Sequence, residues 1–364
     1  MIPLIDLKAQ YETIQEEMDQ AVIDHIRSLK YINGPAVKEF EQAFALAHDV
    51  EYAIGCANGT AALHLAFEGL GIGKDDEVIT TPMTFIATTE PLRQVGARAV
   101  FVDVDPVSYN LDPEKIEQAI TPRTKAILAV HLHGNPCQLD RIIEIAEKHN
   151  LFVIEDCAQA HLAEFKGKIV GNFGHVSTFS FYPGKNLGAY GDAGMVVTNN
   201  EKLAGKIRLL VNHGRTEKYE HIIEGYNYRL DTIQAVVLNI KLKHLEEWTN
   251  KRIEKAKIYT GLLKDMDVKT PEESPHKKHV YHVYAITSAI RDKLAGVLKE
   301  NGISTGIHYP IPLHLQPAYN YLGYHKGNFP VSERLANEFL SLPLYPELKE
   351  TDINLICNLI KKCL

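Results

Sequence analysis

From residue 50 to about residue 200 the chain alternates between two hydrophobic patterns. Short runs that are apolar at nearly every position read as buried strands: "EVITT" (77–81), "ARAVFVDV" (97–104), "KAILAV" (125–130), "LFVIED" (151–156), "VSTFSF" (176–181) and "AGMVVTN" (193–199). Between the earlier runs lie segments of helical period, "TTEPLRQVG", "DPEKIEQAI" and "QLDRIIEIAEKHN". Such alternation, with strands apolar on both faces, predicts an α/β fold with a mostly parallel sheet covered by helices. Only residues 182–192 separate the last two runs, too few for a helical crossover, so one of those strands is expected to run antiparallel. "ANGTAALHLAFEGLG" (57–71) reads as a turn, a helix and a glycine stop. In "YNLDPEKIEQAI", Asp112 is placed as the N-cap of a helix with Pro113 at its first position.

Past residue 200 the pattern changes. A helical period runs unbroken through "LDTIQAVVLNIKLKHLEEWTNKRIEKAKIYTGLL" (230–263), long enough to bridge two domains or two subunits. A loop rich in proline and charge (270–279) follows, then a strand "VYHVYAIT", a helix ending near Asn301-Gly302, a strand "ISTGIHYP", a Pro/Tyr/His-rich loop and two final helices. The expected division is a large domain over 1–245 and a smaller α+β domain over 246–364. The N-terminal forty residues form two helical patterns expected to pack on the smaller one.

Composition narrows the field. A chain of 364 residues with 45% hydrophobic and 23% charged residues is that of a globular protein with a substantial core. Its formal charge of −7 and lack of dense Lys/Arg runs argue against a nucleic-acid partner. No apolar run is long enough to span a membrane. Five cysteines, an odd number without a C-x-x-C pair, indicate neither a disulfide framework nor a zinc ribbon. With no signal-peptide core at the start, a reducing cytoplasm is the expected location. The seventeen histidines are scattered, and no metal site is expected from them.

Four features fall at the C-terminal ends of the predicted strands or the helix starts that follow, where open parallel sheets bind ligands. At "NGTAAL", a turn leading into a helix is expected to leave the amides of Gly59, Thr60 and Ala61 free for an anion such as phosphate. Neither a Walker motif nor a G-x-G-x-x-G fingerprint is present. At "VIEDCAQAH", Glu155 and Asp156 close an apolar strand, where a carboxylate needs a cationic partner. Gln159 and His161 follow it. At "STFSFYPGKNLG", the hydroxyls of Ser177, Thr178 and Ser180 precede Lys185 in a Pro-Gly turn, and a desolvated lysine there suits Schiff-base chemistry. Phe85, just past another strand end, offers a flat face for a planar ring. Together these suit a pyridine carrying a phosphate and an aldehyde, that is, pyridoxal 5′-phosphate.

With these motifs in order, the sequence resembles the DegT/DnrJ/EryC1/StrS family of sugar aminotransferases. The resemblance runs from "IPLIDLKAQY" through "GTAALHLA", "EVITTPMTFIAT", "AVFVDVDP", "EDCAQAH", "SFYPGKNLGAYGDAG" and "GYNYRLDTIQAVV" to "HYPIPLHLQPAY". It implies a fold-type-I pyridoxal-phosphate enzyme with active sites shared across a homodimer. It assigns Lys185 to the cofactor aldehyde and to proton transfer, Asp156 to the pyridine nitrogen, Gln159 to the ring hydroxyl, and Gly59, Thr60 and Ser180 to the phosphate. Asn227 would reach the phosphate of the neighbouring subunit's cofactor. Possession of "AQAH" and "YPGKNLG" resembles members acting at carbon 3 of dTDP-linked 3-keto-6-deoxyhexoses, with L-glutamate as donor and 2-oxoglutarate as its product. Substrate contacts are expected from His161 and Tyr182, from Arg215 and Lys218 toward a diphosphate, and from His308, Tyr309, His314 and Gln316 toward sugar hydroxyls. One departure stands out: Leu162 occupies a place where the family pattern has glycine.

Overall fold

The computed structural model describes residues 1–364. Its centre is a seven-stranded sheet formed by β1 (Tyr52–Cys56), β2 (Glu77–Thr80), β3 (Arg98–Phe101), β4 (Thr124–Val130), β5 (Phe152–Asp156), β6 (Val176–Ser180) and β7 (Gly194–Thr198). The strands lie in the order β1-β7-β6-β5-β4-β2-β3. From β3 across to β6 all neighbours are parallel. β7 runs antiparallel to both of its neighbours, β6 and β1, so the short connection before it returns directly without a crossover helix.

Both faces of the sheet are covered, which is why these strands carry so few polar positions. Phe40 and Phe44 of the helix Pro35–Ala47, Ile142 and Ile145 of Leu139–His149, and Leu238 of Thr232–Leu242 pack on one face. Leu63, Leu65 and Phe67 of Gly59–Leu70, with Leu203 and Ile207 of Glu201–Leu210, pack on the other. A further apolar cluster gathers Tyr259, Leu298, Ile353 and Ile356 around a two-stranded antiparallel sheet, β8 (Tyr284–Thr287) with β9 (Phe339–Leu342). No helix is long and apolar enough to cross a membrane.

Several expectations are corrected. The edge strand β1 is not among the expected runs; its Gly55 lies so close to Leu230 that an added Cβ would sit 2.8 Å from Leu230 Cδ2. "DPEKIEQAI" forms two 3₁₀ turns, Pro113–Lys115 and Glu117–Ala119, instead of an α-helix. Its Ile116 is fully buried but the segment is too short to offset nucleation before β4 begins. The long helix breaks into Thr232–Leu242 and Leu245–Leu263. There the amides of Lys243 and His244 bond back only three residues, at 3.2 and 3.0 Å. The two pieces serve different partners, the first the helices Gln15–Ser28 and Pro35–Ala47 and the second the C-terminal helix Glu350–Cys363.

"ISTGIHYP" is no strand; it makes single bridges, Ile303 to Ile2 and Gly306 to Ser341, and β9 takes the place beside β8. The N-terminal region contains three helices, Leu7–Thr13, Gln15–Ser28 and Pro35–Ala47. The latter two pack on Thr232–Leu242, where Ile14 and Met18 meet Val237 and Ile240, together with Trp248 of the following helix Leu245–Leu263. The extreme N-terminus reaches the C-terminal layer through the Ile2 amide to the Gly302 carbonyl at 2.8 Å.

Candidate active site

A cavity of about 750 Å³ opens at the C-terminal ends of β4, β5 and β6. It collects Gly59, Thr60, Ala61, Phe85, Asp156, Gln159, Ser180, Tyr182, Lys185, His308 and Tyr309 from segments far apart in sequence. His161, Arg215, Lys218, Asn227, His314 and Gln316 do not line it.

Lys185 sits in a tight turn between β6 and β7, with its amide bonded to the Tyr182 carbonyl at 2.8 Å. Gly188 is required there, because a Cβ would stand 2.3 Å from the Pro183 carbonyl oxygen. Two side chains pin the turn from below. Asn186 Nδ2 donates to the Val280 carbonyl at 3.1 Å. The buried ammonium of Lys241 donates to the Gly188 carbonyl at 2.8 Å. Burial lowers the Lys185 amine to about 8, with Asp156 opposing the shift. A lysine so placed holds a substantial neutral fraction near neutral pH, as a nucleophile or base requires.

Glu155 and Asp156, adjacent at the end of β5, separate into different roles because successive strand residues point to opposite faces. Glu155 is wholly buried and accepts from the amides of Gly171, Phe173 and Gly174 at 2.9, 2.9 and 2.8 Å. It also accepts from Ser177 Oγ at 3.1 Å and pairs with His131 Nε2 at 3.2 Å. These donors keep its carboxyl below the usual range despite burial. His131 Nδ1 accepts from the Cys137 amide at 3.0 Å, so the proton lies on Nε2, toward Glu155. The grouping of His131, Glu155 and Cys157 is thus a hydrogen-bond network with its carboxylate lone pairs already engaged. Asp156 faces the cavity, accepting from the Ala158 amide at 3.1 Å and the Thr88 hydroxyl at 3.0 Å. Burial pushes its carboxyl up, while the Ala158 and Thr88 bonds and the charge of Lys185 oppose this.

The helix Gly59–Leu70 points its N-terminus at the same space. Asn58 Oδ1 accepts from the Ala61 amide at 2.8 Å, which corrects the expectation of three free amides. The amides of Gly59 and Thr60 keep no partner within the chain. Gly59 lies so close to β6 that a Cβ there would be 2.8 Å from Ser180 Cβ. Two amides, a helix N-terminus and the Ser180 hydroxyl therefore converge on one small volume suited to a phosphate.

Phe85 is 59% exposed, and its ring lies 6.1 Å from that of Tyr309. Gln159 ties the cavity wall to the 308–309 loop: its Oε1 accepts from the His133 amide at 2.6 Å and its Nε2 donates to the Tyr309 hydroxyl at 3.1 Å. Burial holds His133 neutral, lowered to about 3, and its Nε2 donates to the His308 carbonyl at 3.1 Å.

The remaining sequence-derived residues lie elsewhere. His161 is fully buried between the rings of Phe179 and Phe181, with no polar partner at either nitrogen, so it is a core residue behind the site. Leu162 has a φ of 59°, the left-handed region that favours glycine, and its side chain packs on the core instead of entering the cavity. His314 is buried against Phe329 and bonds Glu333 at 3.0 Å, a structural contact. Gln316 reaches only the Ile311 carbonyl, at 3.5 Å. Arg215 pairs with His221 across a projecting loop, Lys218 lies at its exposed tip, and Asn227 is exposed on its return arm. Thr84, Thr88, Asp192, Tyr228, His282 and Ile5 line the cavity but were not singled out in the sequence. The one signal for the threonines was their spacing, four residues apart in "TFIAT".

Residues 12–361 match the DegT/DnrJ/EryC1/StrS aminotransferase family. The chain belongs to that family. A "pleiotropic regulatory protein" of Geobacillus stearothermophilus is 47% identical over 96% of this chain and 95% of its own. The dTDP-3-amino-3,4,6-trideoxy-α-D-glucose transaminase of Streptomyces venezuelae is 42% identical over 96% and 92%. A UDP-N-acetyl-3-dehydro-α-D-glucosamine 3-aminotransferase of Acidithiobacillus ferrooxidans is 43% identical over 100% and 98%. The crystal structure of S. venezuelae DesV in complex with a ketimine intermediate superposes with a TM-score of 0.97 at 40% identity, covering 99% of this chain and 98% of that one. This family member is a transaminase that uses pyridoxal 5′-phosphate, on the fold-type-I architecture expected from its motifs. Its cavity fits the cofactor: an anion seat, a buried carboxylate, an amine with lowered basicity and an exposed aromatic face converge within it.

Proposed function

We propose that this transaminase moves an amino group from L-glutamate to carbon 3 of a dTDP-linked 3-keto-6-deoxyhexose, releasing 2-oxoglutarate. The observation that carries the reaction is Lys185 and Asp156 facing one cavity beside the Gly59–Thr60–Ser180 anion seat. The carbon-3 reading is supported by the "AQAH" and "YPGKNLG" motifs and by relatives named for 3-amino products.

Pyridoxal phosphate, when bound, supplies an aldehyde that captures the amine and a ring that stores an electron pair. The residues of the chain do the rest. The Gly59 and Thr60 amides and Ser180 Oγ would hold the phosphate. Phe85 would cover the ring, Gln159 would bond its hydroxyl, and Asp156 would keep a proton on its nitrogen. Lys185 Nζ, with its amine lowered to about 8, would take the proton released from the amino acid's α-carbon and deliver it to the carbon that was the cofactor's aldehyde. In the second half-reaction it moves the proton in reverse, onto the sugar. Tyr182, His308 and Tyr309 meet the hexose. Asn227, Arg215 and Lys218 project from the chain on an exposed loop, which suits reaching a partner's cofactor and the substrate diphosphate in a cytoplasmic homodimer.

The test presents the aminated enzyme with dTDP- and UDP-linked 3-keto and 4-keto sugars and follows loss of the pyridoxamine absorbance. Turnover of a dTDP-3-keto-6-deoxyhexose is expected, and Lys185→Ala should abolish it together with the visible imine band. A UDP-linked 3-keto acceptor is the second reading, favoured by the full-length match to a UDP-sugar aminotransferase. Absence of turnover with every sugar despite a normal imine band would overturn the proposal and favour a protein that binds the cofactor without turnover.

A further inference from the structure

Asp156 receives one hydrogen bond from a side chain, and it comes from a residue that no step above employs. Thr88 Oγ1 donates to Asp156 Oδ2 at 3.0 Å. Thr88 is itself buried, and its oxygen lies 2.6 Å from Thr84 Oγ1. A hydroxyl has one proton. With that of Thr88 committed to the carboxylate, the proton in the short contact must come from Thr84. The competing acceptor for Thr84, the Phe85 carbonyl, is 3.5 Å away. The direction of the chain is therefore set: Thr84 donates to Thr88, and Thr88 donates to Asp156.

The local structure explains the alignment. Residues 86–88 form one 3₁₀ turn after β2, closed by the Thr88 amide to the Phe85 carbonyl at 3.0 Å. The turn carries Thr84 and Thr88 on one side and holds Phe85 at the cavity. It thus links the aromatic ring of Phe85 at the cavity to the carboxylate of Asp156.

We propose that Thr84 and Thr88 are a hydroxyl relay that orients Asp156 and keeps it ionised, with Thr88 a positioning residue for transamination and Thr84 its support. This rests on the reading that Asp156 holds the proton on the cofactor's pyridine nitrogen. A buried carboxylate tends toward its neutral form, and donors to the charged form oppose that tendency. The groups facing Asp156 are Lys185, His131 and Tyr309, none of which makes a hydrogen bond to its carboxylate. The Ala158 amide fixes Oδ1, and the Thr88 hydroxyl fixes Oδ2. Two donors on two oxygens determine the plane of the carboxylate. Hydroxyls in series polarise each other, so the first strengthens the second.

The experiment measures pyridoxal phosphate binding to the apoprotein by fluorescence, with thermal melts as a check on folding. Thr88→Val keeps the volume and removes the donor, and should weaken cofactor binding about 10- to 100-fold, the range for a bond to a charged group. Thr88→Ser should restore binding to near wild type. Thr84→Val should move it the same way by less. In an Asp156→Asn background, Thr88→Val should add little, because its effect passes through the carboxylate. Normal binding by Thr88→Val, failure of serine to rescue, or full additivity with Asp156→Asn would each overturn the proposal. An unchanged Thr84→Val would remove the relay's first link. Should Asp156→Asn alone bind the cofactor as tightly as wild type, the pyridine-nitrogen assignment fails first, and the result separates that failure from the relay's.

Discussion

Gly59→Ala tests how the anion seat is built. The new Cβ would stand 2.8 Å from Ser180 Cβ and 3.3 Å from Ser180 Oγ, so the helix N-terminus and the end of β6 must move apart. Neither atom belongs to a long side chain that could swing away. Overpacking of this kind costs about 1–3 kcal/mol. Alanine's better helix propensity returns less than about 1 kcal/mol, so the apoprotein should be destabilised. The displaced groups are the Gly59 and Thr60 amides and the Ser180 hydroxyl. Losing the equivalent of one bond to a dianion costs about 1.5–3 kcal/mol, or roughly 10- to 100-fold in cofactor affinity. Thermal melts of the apoprotein and cofactor titration measure the two effects separately. Ser180→Gly removes the clashing atoms, so the double variant should regain stability without regaining affinity. Unchanged melting and unchanged affinity in Gly59→Ala would refute the close approach and the phosphate seat together.

Other consequences follow from buried polar groups. Burial lowers both His48 and His133 to about 3, below their unfolded value. Below about pH 6.5 the unfolded chain therefore binds more protons than the native one, and stability falls as pH drops toward 3; near pH 5.5 each histidine should withdraw about 1.4 kcal/mol, measurable by urea unfolding against pH. Rising stability between pH 6.5 and 5 would contradict their burial as neutral rings. Glu155→Gln turns an NH₂ toward amides that already donate, and should cost at least about 3 kcal/mol in chemical denaturation. Lys241→Met leaves the Gly188 carbonyl without its donor, costing about 1–3 kcal/mol, and should lower turnover more than cofactor binding because the lysine turn loosens.

The sequence carried the parallel strands and the cavity's principal residues because each depended on local pattern: apolar runs, a helix start, and a lysine hemmed by glycines. What escaped depended on partners distant in the chain. His161 looked like a polar neighbour of Asp156, yet Phe179 and Phe181 enclose it. Ala61 seemed to offer a free amide until the rotamer of Asn58 claimed it. The break after Leu242 has no glycine or proline to mark it, and the two pieces pack against different helices. Thr88 carries no special composition, and its role is visible only once β5 delivers Asp156 to it. Leu162 is the reverse case: the sequence showed a departure, and the left-handed backbone gives the reason glycine suits that place.

The reversal of β7 has a bearing on mechanical precision. Had β6 continued into a parallel neighbour, the intervening segment would have crossed a face of the sheet, and Lys185 would ride on a long excursion. Instead the loop leaves β6 at Ser180 and re-enters the adjacent strand at Gly194, its direct partner. The Phe181 amide bonds the Ala193 carbonyl at 2.8 Å, and the Ala189 amide bonds the Phe181 carbonyl at 2.8 Å, so the loop is clamped at its neck. Its length has little room to vary, unlike that of the exposed 215–220 tip. A change of one residue there would shift the amine relative to the carboxylate, so insertions and deletions should be far less tolerated at the lysine than point substitutions on its outer face.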